Sequence, residues 1–238
     1  MRLHRLAPGR HAPVIDSKRA ARHGSTQGQQ GNRHRGFEGM ITVWGQAISG
    51  NCWKVAQILR FTGQPYTWVE TSSHAGETRT PEFLARNPAG QVPVVALDDG
   101  AVLTQSGAIL AHFAEATPWL PAPGLARTRV FEWLFFEQYS HEPYVAVARN
   151  IIAYQRMRDA QADRLTTCWQ KGAAAFDVME QRLVAHDWLT DSGPTIAELA
   201  LFAYSHVADE GEFDLARWPA VSRWLARVRE LPGLVPLR

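Results

Sequence analysis

The spacing of hydrophobic residues changes along the chain, and each change marks a segment of different structure. Between residues 40 and 117, short runs of β-branched and aromatic residues alternate with stretches in which hydrophobic residues recur every three or four positions. The first pattern is typical of strands and the second of amphipathic helices. We therefore predict a small α/β domain at 40–117, in the order β-α-β-α-β-β-α. The expected strands are 41–45, 66–70, 94–97 and 101–103, and the expected helices are 51–61, 81–87 and 106–115.

The chain beyond residue 117 has a helical pattern almost throughout. Two prolines stiffen the segment 119–124, which lies within a predicted linker at 118–126. Residues 127–238 are predicted to form an all-helical C-terminal domain. Its expected helices run over 127–154, 159–186, 195–208 and 219–230. The third of them begins with Thr195-Ile-Ala-Glu198, which has the spacing of a capping box.

Residues 1–39 lack this periodicity and differ from the rest in charge. They hold eight Lys or Arg and two acidic residues, whereas residues 40–238 hold 17 Lys or Arg and 21 Asp or Glu. A segment so poor in apolar side chains cannot offset the entropy of ordering, so we predict a disordered basic extension. The basic charge then belongs to an extension and not to a folded domain. We therefore expect no nucleic-acid partner.

Composition narrows the class of protein further. Hydrophobic residues at 45% and charged residues at 20% are typical of a soluble globular chain. No run approaches the roughly 18 apolar residues of a membrane helix, so we expect no membrane partner. The only two cysteines, Cys52 and Cys168, make neither a disulfide framework nor a cysteine pair for zinc. We predict a cytoplasmic protein without a metal.

The first segment that can carry chemistry is Ser49-Gly-Asn-Cys-Trp-Lys-Val55, where the first strand meets the first helix. A helix N-terminus presents unpaired N–H groups and a partial positive charge, which favour an anion or a thiolate. The Ser49 hydroxyl can donate a hydrogen bond to a thiolate there. The alternative is that Ser49 only caps the helix, as serine often does.

Two further segments of the same domain lie where a strand or a helix begins. In Pro88-Ala-Gly-Gln-Val-Pro93, a cis bond before Pro93 would turn the backbone and leave Val92 free to pair with a peptide-like ligand. Gln105 and Ser106, at the start of the third helix, offer donors to a carboxylate. Each also has a plain structural interpretation, as a loop proline or as a helix cap. Element ends of this kind converge on one edge of an α/β domain, which is where ligands bind.

Residues 40–234 resemble the cytosolic glutathione S-transferases, in particular bacterial members of the serine type. The resemblance rests on these three segments, the capping box, and the final Trp218-Pro-Ala-Val-Ser-Arg-Trp-Leu225, in this order. It implies a thioredoxin-like N-terminal domain followed by an all-α domain, with glutathione as co-substrate and no metal. It also implies a homodimer.

Position by position, the resemblance implies a role for each motif residue. Ser49 would activate the glutathione thiol, and Asn51 is the alternative because its amide can also donate to a thiolate. Val92 would bond the cysteinyl backbone, Gln105 and Ser106 the γ-glutamyl carboxylate, and Arg79 the glycine carboxylate. The residues expected to bind glutathione are Ser49, Arg79, Gln91, Val92, Pro93, Gln105 and Ser106. Cys52 is interpreted as a small buried hydrophobic residue.

The first long helix of the C-terminal domain is rich in aromatic residues, most of them expected in the core or in a dimer contact. In the family this helix also lines the pocket for the second substrate, so Tyr139 and Tyr144 are candidates to face it. His141-Glu142 resembles the start of a zinc helix, but no second histidine follows at the required spacing.

The function that these features favour is conjugation of the glutathione thiolate to a small, mostly apolar electrophile. One alternative is a specialised glutathione-dependent isomerase, dehalogenase or ether-cleaving enzyme. The maleylacetoacetate isomerases typically carry Ser-Ser-Cys where this chain has Ser49-Gly50-Asn51, which counts against that member. Another is a non-catalytic module that binds glutathione, another ligand or a protein on the same fold.

Overall fold

The computed structural model describes residues 41–237. The predicted basic extension, residues 1–39, lies outside the described residues. Within them the chain forms an α/β domain followed by a helical domain, and the predicted fold class is confirmed.

The α/β domain is built on a four-stranded mixed sheet. Its strands stand in the order β2-β1-β3-β4, with β1 and β2 parallel and the other neighbours antiparallel. The central strand β1 carries Val43, which is fully buried, on the face packed against the helices. The strands are β1 (Ile41–Gly45), β2 (Tyr66–Glu70), β3 (Val94–Ala96) and β4 (Val102–Thr104).

Local sequence signals explain where the helices of this domain begin. Ser49 caps the first helix by accepting a bond from the Cys52 N–H. Thr80 caps the second by accepting one from Phe83 N–H, and Pro81 occupies the first helical position, where no N–H is needed. The helices are α1 (Gly50–Phe61), α2 (Pro81–Arg86) and α3 (Ser106–Ala114), and a short 3₁₀ turn, Glu77–Arg79, precedes α2.

The long helix predicted over 127–154 is helical throughout but interrupted by two π-turns. Pro143 lies inside it, and a proline there lacks the N–H donor and clashes with the preceding turn. The first π-turn, Glu137–His141, ends two residues before that proline, where a wider turn accommodates it. The prediction missed this interruption because it followed hydrophobic spacing alone. The four stretches are α4 (Leu125–Phe136), the π-turn 137–141, α5 (Glu142–Arg149) and a second π-turn, Asn150–Tyr154.

Three more helices complete the helical domain. They are α6 (Ala162–Ala185), α7 (Ile196–Ser205) and α8 (Pro219–Arg229), with 3₁₀ turns at Ala208–Gly211 and Leu215–Arg217. Every residue of α7 is buried, so it is the central helix of this domain. Helix α1 contacts α7, so the core of the helical domain extends under the sheet domain.

The capping box at the start of α7 is present as predicted. The Thr195 N–H donates to Glu198 Oε2 at 2.7 Å, and the Thr195 hydroxyl accepts from the Ala197 N–H at 3.2 Å. Glu198 also accepts a bond from the Leu189 N–H at 2.9 Å, so it ties the preceding loop to the helix. Its burial raises the pKa of the Glu198 carboxyl to about 7.

Replacing Thr195 by Ala should lower the free energy of unfolding by about 1 to 2 kcal/mol, because α7 loses its cap inside the core. Urea unfolding followed by circular dichroism measures the change. Thr166→Ala, on the exposed side of α6, is the matched control and should leave the midpoint unchanged. Equal midpoints for the two variants would contradict a stabilising role for the capping box.

Candidate functional site

A cleft of about 460 Å³ lies between the sheet domain and the helical domain. One wall is made by the ends of β1, α1 and α3 and by the loop before β3, and the other by α5, its flanking π-turns and α7. The seven residues predicted to bind glutathione all line this cleft, although they are up to 57 positions apart in sequence, and Asn51, the alternative thiolate donor, lines it as well. The seven are Ser49, Arg79, Gln91, Val92, Pro93, Gln105 and Ser106.

Ser49 lies at the N-terminus of α1, where it caps the helix. Its Oγ accepts a bond from the Cys52 N–H at 3.4 Å. Capping uses an acceptor position of the hydroxyl and leaves its hydrogen available to donate. The two interpretations of Ser49, helix cap and thiolate donor, are therefore compatible.

The side chain of Asn51 is held in place by three partners. Its Oδ1 accepts from Lys54 Nζ at 2.7 Å and from the Ser106 hydroxyl at 3.2 Å. Its Nδ2 donates to Glu142 Oε1 at 3.1 Å. Asn51 thus connects α1, α3 and α5, and only one amide hydrogen is left for a ligand.

Lys54 and Glu137 form an ion pair that is buried between the two domains. Nζ and Oε1 are 2.7 Å apart, and both side chains are almost inaccessible. The Lys54 ammonium also bonds Asn51, and Glu137 Oε2 accepts from Gln138. A buried charge is tolerated only when it is paired and its hydrogen bonds are satisfied, and this pair meets both conditions.

The loop before β3 is shaped by Asn87. Its Nδ2 donates to the Gln91 carbonyl at 2.8 Å, and its Oδ1 accepts from the Ala89 N–H at 3.1 Å. The Val92–Pro93 bond is cis, as the sequence predicts. Val92 lines the cleft and precedes the ladder of β3 with β1 and β4, so its backbone is not paired with a neighbouring strand there.

Gln105 and Ser106 mark the N-terminus of α3 at the cleft. Gln105 has a φ of 67°, in a region that L-residues rarely adopt. Such strain costs about 1 to 3 kcal/mol and is concentrated at functional sites. The Ser106 hydroxyl is occupied by Asn51, so the group that Ser106 offers to an anion is its backbone N–H at the helix start.

Arg79 closes the short 3₁₀ turn beside the loop before β3. Its Nη1 donates to the Ala89 carbonyl at 3.4 Å, and its guanidinium covers Gly90. A side chain at position 90 would collide with it, and Gly90 also has a positive φ of 62°. The glycine therefore lets an exposed cation reach the end of the cleft.

The helical wall contains residues that sequence reasoning did not find. They are Gln138, Glu142, Ala146, Val147, Arg149, Asn150, Tyr154 and Tyr204. Each belongs to an ordinary helical pattern, so no local signal distinguishes it, and only the packing of the two domains brings it to the cleft. Burial raises the pKa of Glu142 and of Tyr204, because it disfavours the charged form of each group.

Arg149 joins this wall to the loop that carries Ser49. Its side chain is buried, and its Nη1 donates to the Ile48 carbonyl at 2.8 Å. Its Nε donates to Glu210 and its Nη2 to the Tyr154 hydroxyl. The guanidinium thereby connects the backbone next to Ser49 to the helical domain.

Tyr139 and Tyr144, the candidates for the second-substrate pocket, do not line this cleft. Tyr139 is 84% exposed on the outer surface. Tyr144 packs on the helical core, with the Lys171 ammonium 5.1 Å from its ring centre. The π-turn alters the angular spacing along the helix, and the aromatic side chain that reaches the cleft from this segment is Tyr154.

Cys52 and His141, two other groups that could carry chemistry, lie in the protein interior and do not line the cleft. Cys52 is fully buried, and its burial raises the pKa of the thiol to about 11. His141 is buried as well, with Nε2 2.9 Å from the Ser205 hydroxyl and a pKa lowered to about 3.

In residues 41–237 there is no group of three or more His, Cys, Asp or Glu placed to hold a metal ion. None of the helices described there is long and apolar enough to cross a membrane.

Comparisons with known proteins agree with this architecture. Residues 45–122 match the family model described as glutathione S-transferase, N-terminal domain, and residues 142–232 match the one described as glutathione S-transferase, C-terminal domain. A maleylacetoacetate isomerase from Rhizobium meliloti is 32% identical over 177 residues, which cover 72% of this chain and 83% of that protein.

Solved structures are similar to this chain over most of its length. A glutathione S-transferase from Xanthobacter autotrophicus Py2 is 60% identical, with a TM-score of 0.81, and the match covers 83% of this chain and 96% of that one. Ure2p in complex with glutathione is 26% identical, with a TM-score of 0.72, covering 84% and 94% of the two chains.

Replacing Lys54 by Met should lower the free energy of unfolding by about 3 to 5 kcal/mol, because Glu137 is left as a buried, unpaired charge. Glu137→Gln alone should also destabilise, and the double variant should lose much less than the sum of the two. Denaturant unfolding of the three variants measures this coupling. Arg129→Met, which breaks an exposed pair with Glu132, is the control and should change nothing measurable. Additive losses would show that the buried ion pair does not couple the domains.

Proposed function

We propose that this chain, which belongs to the glutathione S-transferase family, binds glutathione in the interdomain cleft and joins the glutathione thiolate to a small electrophile. The observation that carries this proposal is the convergence of the α1 N-terminus, the Val92–Pro93 loop and the α3 N-terminus on one cleft. The three features suit the thiol, the peptide backbone and the γ-glutamyl carboxylate of a single glutathione molecule.

Ser49 is the group that we propose for thiolate stabilisation. Its hydroxyl lies at the positive end of α1 and retains a hydrogen to donate, whereas Asn51 is largely occupied by Lys54, Ser106 and Glu142. In the proposed reaction the thiol proton leaves to solvent and the thiolate attacks carbon. The new C–S bond forms as the leaving group departs or as a C–O or C=C electron pair moves away. Each unit by which the thiol pKa falls is worth about 1.4 kcal/mol of thiolate stabilisation.

The two carboxylates of glutathione have candidate partners among the residues that line the cleft. The backbone N–H groups at the start of α3 suit the γ-glutamyl carboxylate, because a helix N-terminus favours an anion. Arg79, exposed beside Gly90, suits the glycine carboxylate. Gln91 and Val92 also line the cleft, and the backbone of Val92, which lies outside the β3 ladder, suits the cysteinyl residue.

The residues of the helical wall indicate the chemical character of the second substrate. Ala146 and Val147 are apolar, but Gln138, Glu142, Asn150 and Tyr154 place polar atoms around them. The sequence favours a mostly apolar electrophile. We propose that the electrophile also carries a hydrogen-bonding group beside its reactive carbon, because each of these side chains keeps a donor or acceptor after its bonds within the protein.

Two other functions fit the same cleft. The 32% identical maleylacetoacetate isomerase makes a glutathione-dependent isomerase the second candidate, although Ser49-Gly50-Asn51 differs from the pattern typical of that enzyme. A non-catalytic glutathione carrier or docking module is the third. A cytoplasmic location stays part of the proposal, and Cys52 and Cys168, both free and buried, accord with a reducing compartment.

Ser49→Ala should lower the rate of conjugation of a model aryl halide by about 10- to 1000-fold, because the lost bond acts mainly on the thiolate. Affinity for S-hexylglutathione should change little, since its sulfur carries no charge. Rates with glutathione and calorimetric binding measure the two effects. Ser222→Ala, whose hydroxyl donates to the Leu215 carbonyl far from the cleft, is the matched control.

The outcomes separate the candidates. Unchanged turnover in Ser49→Ala would favour Asn51 as the thiolate donor. Binding of glutathione without turnover of any electrophile would favour the carrier. Absence of binding at millimolar glutathione would reject the enzyme and the carrier together.

A homodimer is part of the proposal, and two exposed aromatic side chains support it. Phe135 and Tyr139 lie four positions apart on the outer side of α4 and its π-turn, 72% and 84% exposed. Large aromatic residues exposed together are typical of an interaction surface. Replacing both by Glu should convert a dimer into a monomer in light scattering, whereas Val184→Glu, equally exposed on α6, should not. A wild-type protein that is already monomeric would contradict the dimer.

A further inference from the structure

Glu142, the first residue of α5, places a carboxyl between the helical wall and the start of α1. Its Oε1 accepts a hydrogen bond at 3.1 Å from Nδ2 of Asn51, which follows Ser49 by two positions. Glu142 lines the cleft together with Gln138 and Ala146, on the wall opposite the residues proposed to hold glutathione. The carboxyl therefore adjoins both the first turn of α1 and the wall proposed to hold the second substrate.

The second oxygen of this carboxyl, Oε2, has no hydrogen-bond partner within residues 41–237. The enclosed polar side-chain atoms without a partner in that part of the chain are His141 Nδ1 and Trp224 Nε1, and Oε2 is not one of them. An unbonded atom that is not enclosed is open to solvent, and the solvent that Glu142 meets is in the cleft it lines. Oε2 is thus available to a bound molecule, while Oε1 fixes the side chain on α1.

The groups around Glu142 act on its proton in opposite directions. Burial raises the pKa of the Glu142 carboxyl, and the charge of Glu137 on the π-turn adds to the effect, whereas the Lys54 ammonium and the bond from Asn51 lower it. Tyr204 faces the carboxyl from α7 and adds no charge, because burial and Glu142 raise the pKa of its phenol. A raised pKa extends upward the pH range over which the carboxyl carries a proton that it can donate.

We propose that Glu142 is a catalytic residue that donates a proton from Oε2 to an electrophile whose oxygen gains charge, such as an α,β-unsaturated ketone or an epoxide. The inference rests on the proposed function, in which the glutathione thiolate attacks carbon. Negative charge develops on the oxygen of both substrates during that attack, and a proton donated there neutralises it. An aryl halide releases its halide as an anion and needs no proton.

The proposed step conserves protons and electrons. With an α,β-unsaturated ketone, the C–S bond forms as the C=C electron pair moves toward the carbonyl oxygen, which takes the proton and gives an enol that then becomes the ketone. With an epoxide, the C–S bond forms as a ring C–O bond breaks, and the oxygen takes the proton to give an alcohol. The Glu142 carboxylate then regains a proton from solvent, into which the glutathione thiol released its own. The net reaction is addition of glutathione.

Glu142→Gln tests the assignment, because glutamine keeps an oxygen to bond Asn51 and has no carboxyl proton to donate. The rate of glutathione addition to an α,β-unsaturated ketone should fall by about 100-fold, the scale of general acid catalysis. The rate with a model aryl halide should change by less than about threefold, since it uses the same thiolate and needs no proton. Calorimetric affinity for S-hexylglutathione should stay unchanged. Glu132→Gln, which removes an exposed carboxyl from α4, is the matched control and should change neither rate.

The wild-type protein provides a second measurement that needs no variant. Both electrophiles use the same thiolate, so its ionisation cancels in the ratio of their kcat/KM values. That ratio, ketone over aryl halide, should fall as the pH rises through the pKa of Glu142, because the carboxyl loses a proton that only the ketone needs. In Glu142→Gln the ratio should not vary with pH.

Three results would overturn the inference. They are an unchanged rate with the ketone in Glu142→Gln, an equal loss with the two electrophiles, and a wild-type ratio that does not change with pH. An equal loss would assign Glu142 to holding Asn51 in place. These failures are distinct from failure of the proposed function, in which the wild-type protein neither binds glutathione nor conjugates the aryl halide. Unfolding midpoints of the variants separate loss of proton donation from loss of fold.

Discussion

The buried contact between the start of α1 and the helical domain is the constraint on which the cleft depends. The Lys54 side chain extends from the sheet domain and places its ammonium in a site from which water is excluded. There it forms an ion pair with Glu137 on the π-turn. A charge in that position cannot be left unpaired, so the two domains pack in the one arrangement that pairs it. The same ammonium bonds Asn51, and Asn51 reaches Ser106 and Glu142. The geometry of the site and the interface of the domains are thus one hydrogen-bonded unit.

The start of α1 is also bonded to the helical domain at two further points. At the start of α1, the Asn51 N–H donates a hydrogen bond to the Tyr204 hydroxyl. In the loop before α1, the Ile48 carbonyl accepts a hydrogen bond from Arg149 of the helical domain. Catalytic groups gain most when their hydrogen bonds are set before the substrate arrives. The N-terminus of α1 has its side-chain bonds already made, apart from the hydrogen of Ser49. Stability and the proposed function therefore depend on the same contacts, and the buried polar groups contribute to the specificity of the domain packing.

Much of the chain follows from local signals, and these predicted correctly. Thr80-Pro81 starts α2, the Thr195–Glu198 box starts α7, and the alternation of β-branched residues marks the strands. The three segments proposed to bind a ligand could be recognised as element ends, because a serine at a helix start or a proline at a strand start affects the backbone in a way that does not depend on the rest of the chain. The π-turn was missed, although Pro143 is a local signal for an interruption. Hydrophobic spacing counted at 3.6 residues per turn indicates which side of a helix is buried. It does not allow for the extra residue of a π-turn.

The class of fold, the order of its elements and the three segments proposed to meet a thiol, a peptide and a carboxylate follow from the residues alone, because caps, breakers and periodicity act over a few residues. The residues on the opposite wall of the cleft follow only from the packing of the two domains. Glu142, Arg149, Tyr154 and Tyr204 belong to helices whose patterns give no sign of a site, and they reach the cleft through the packing of α5 and α7 against α1. The same packing leaves Tyr139 on the outer surface and Tyr144 on the helical core. Side chains that meet across a domain interface are selected by burial, charge pairing and shape together, and none of these can be read from the spacing of residues along one helix.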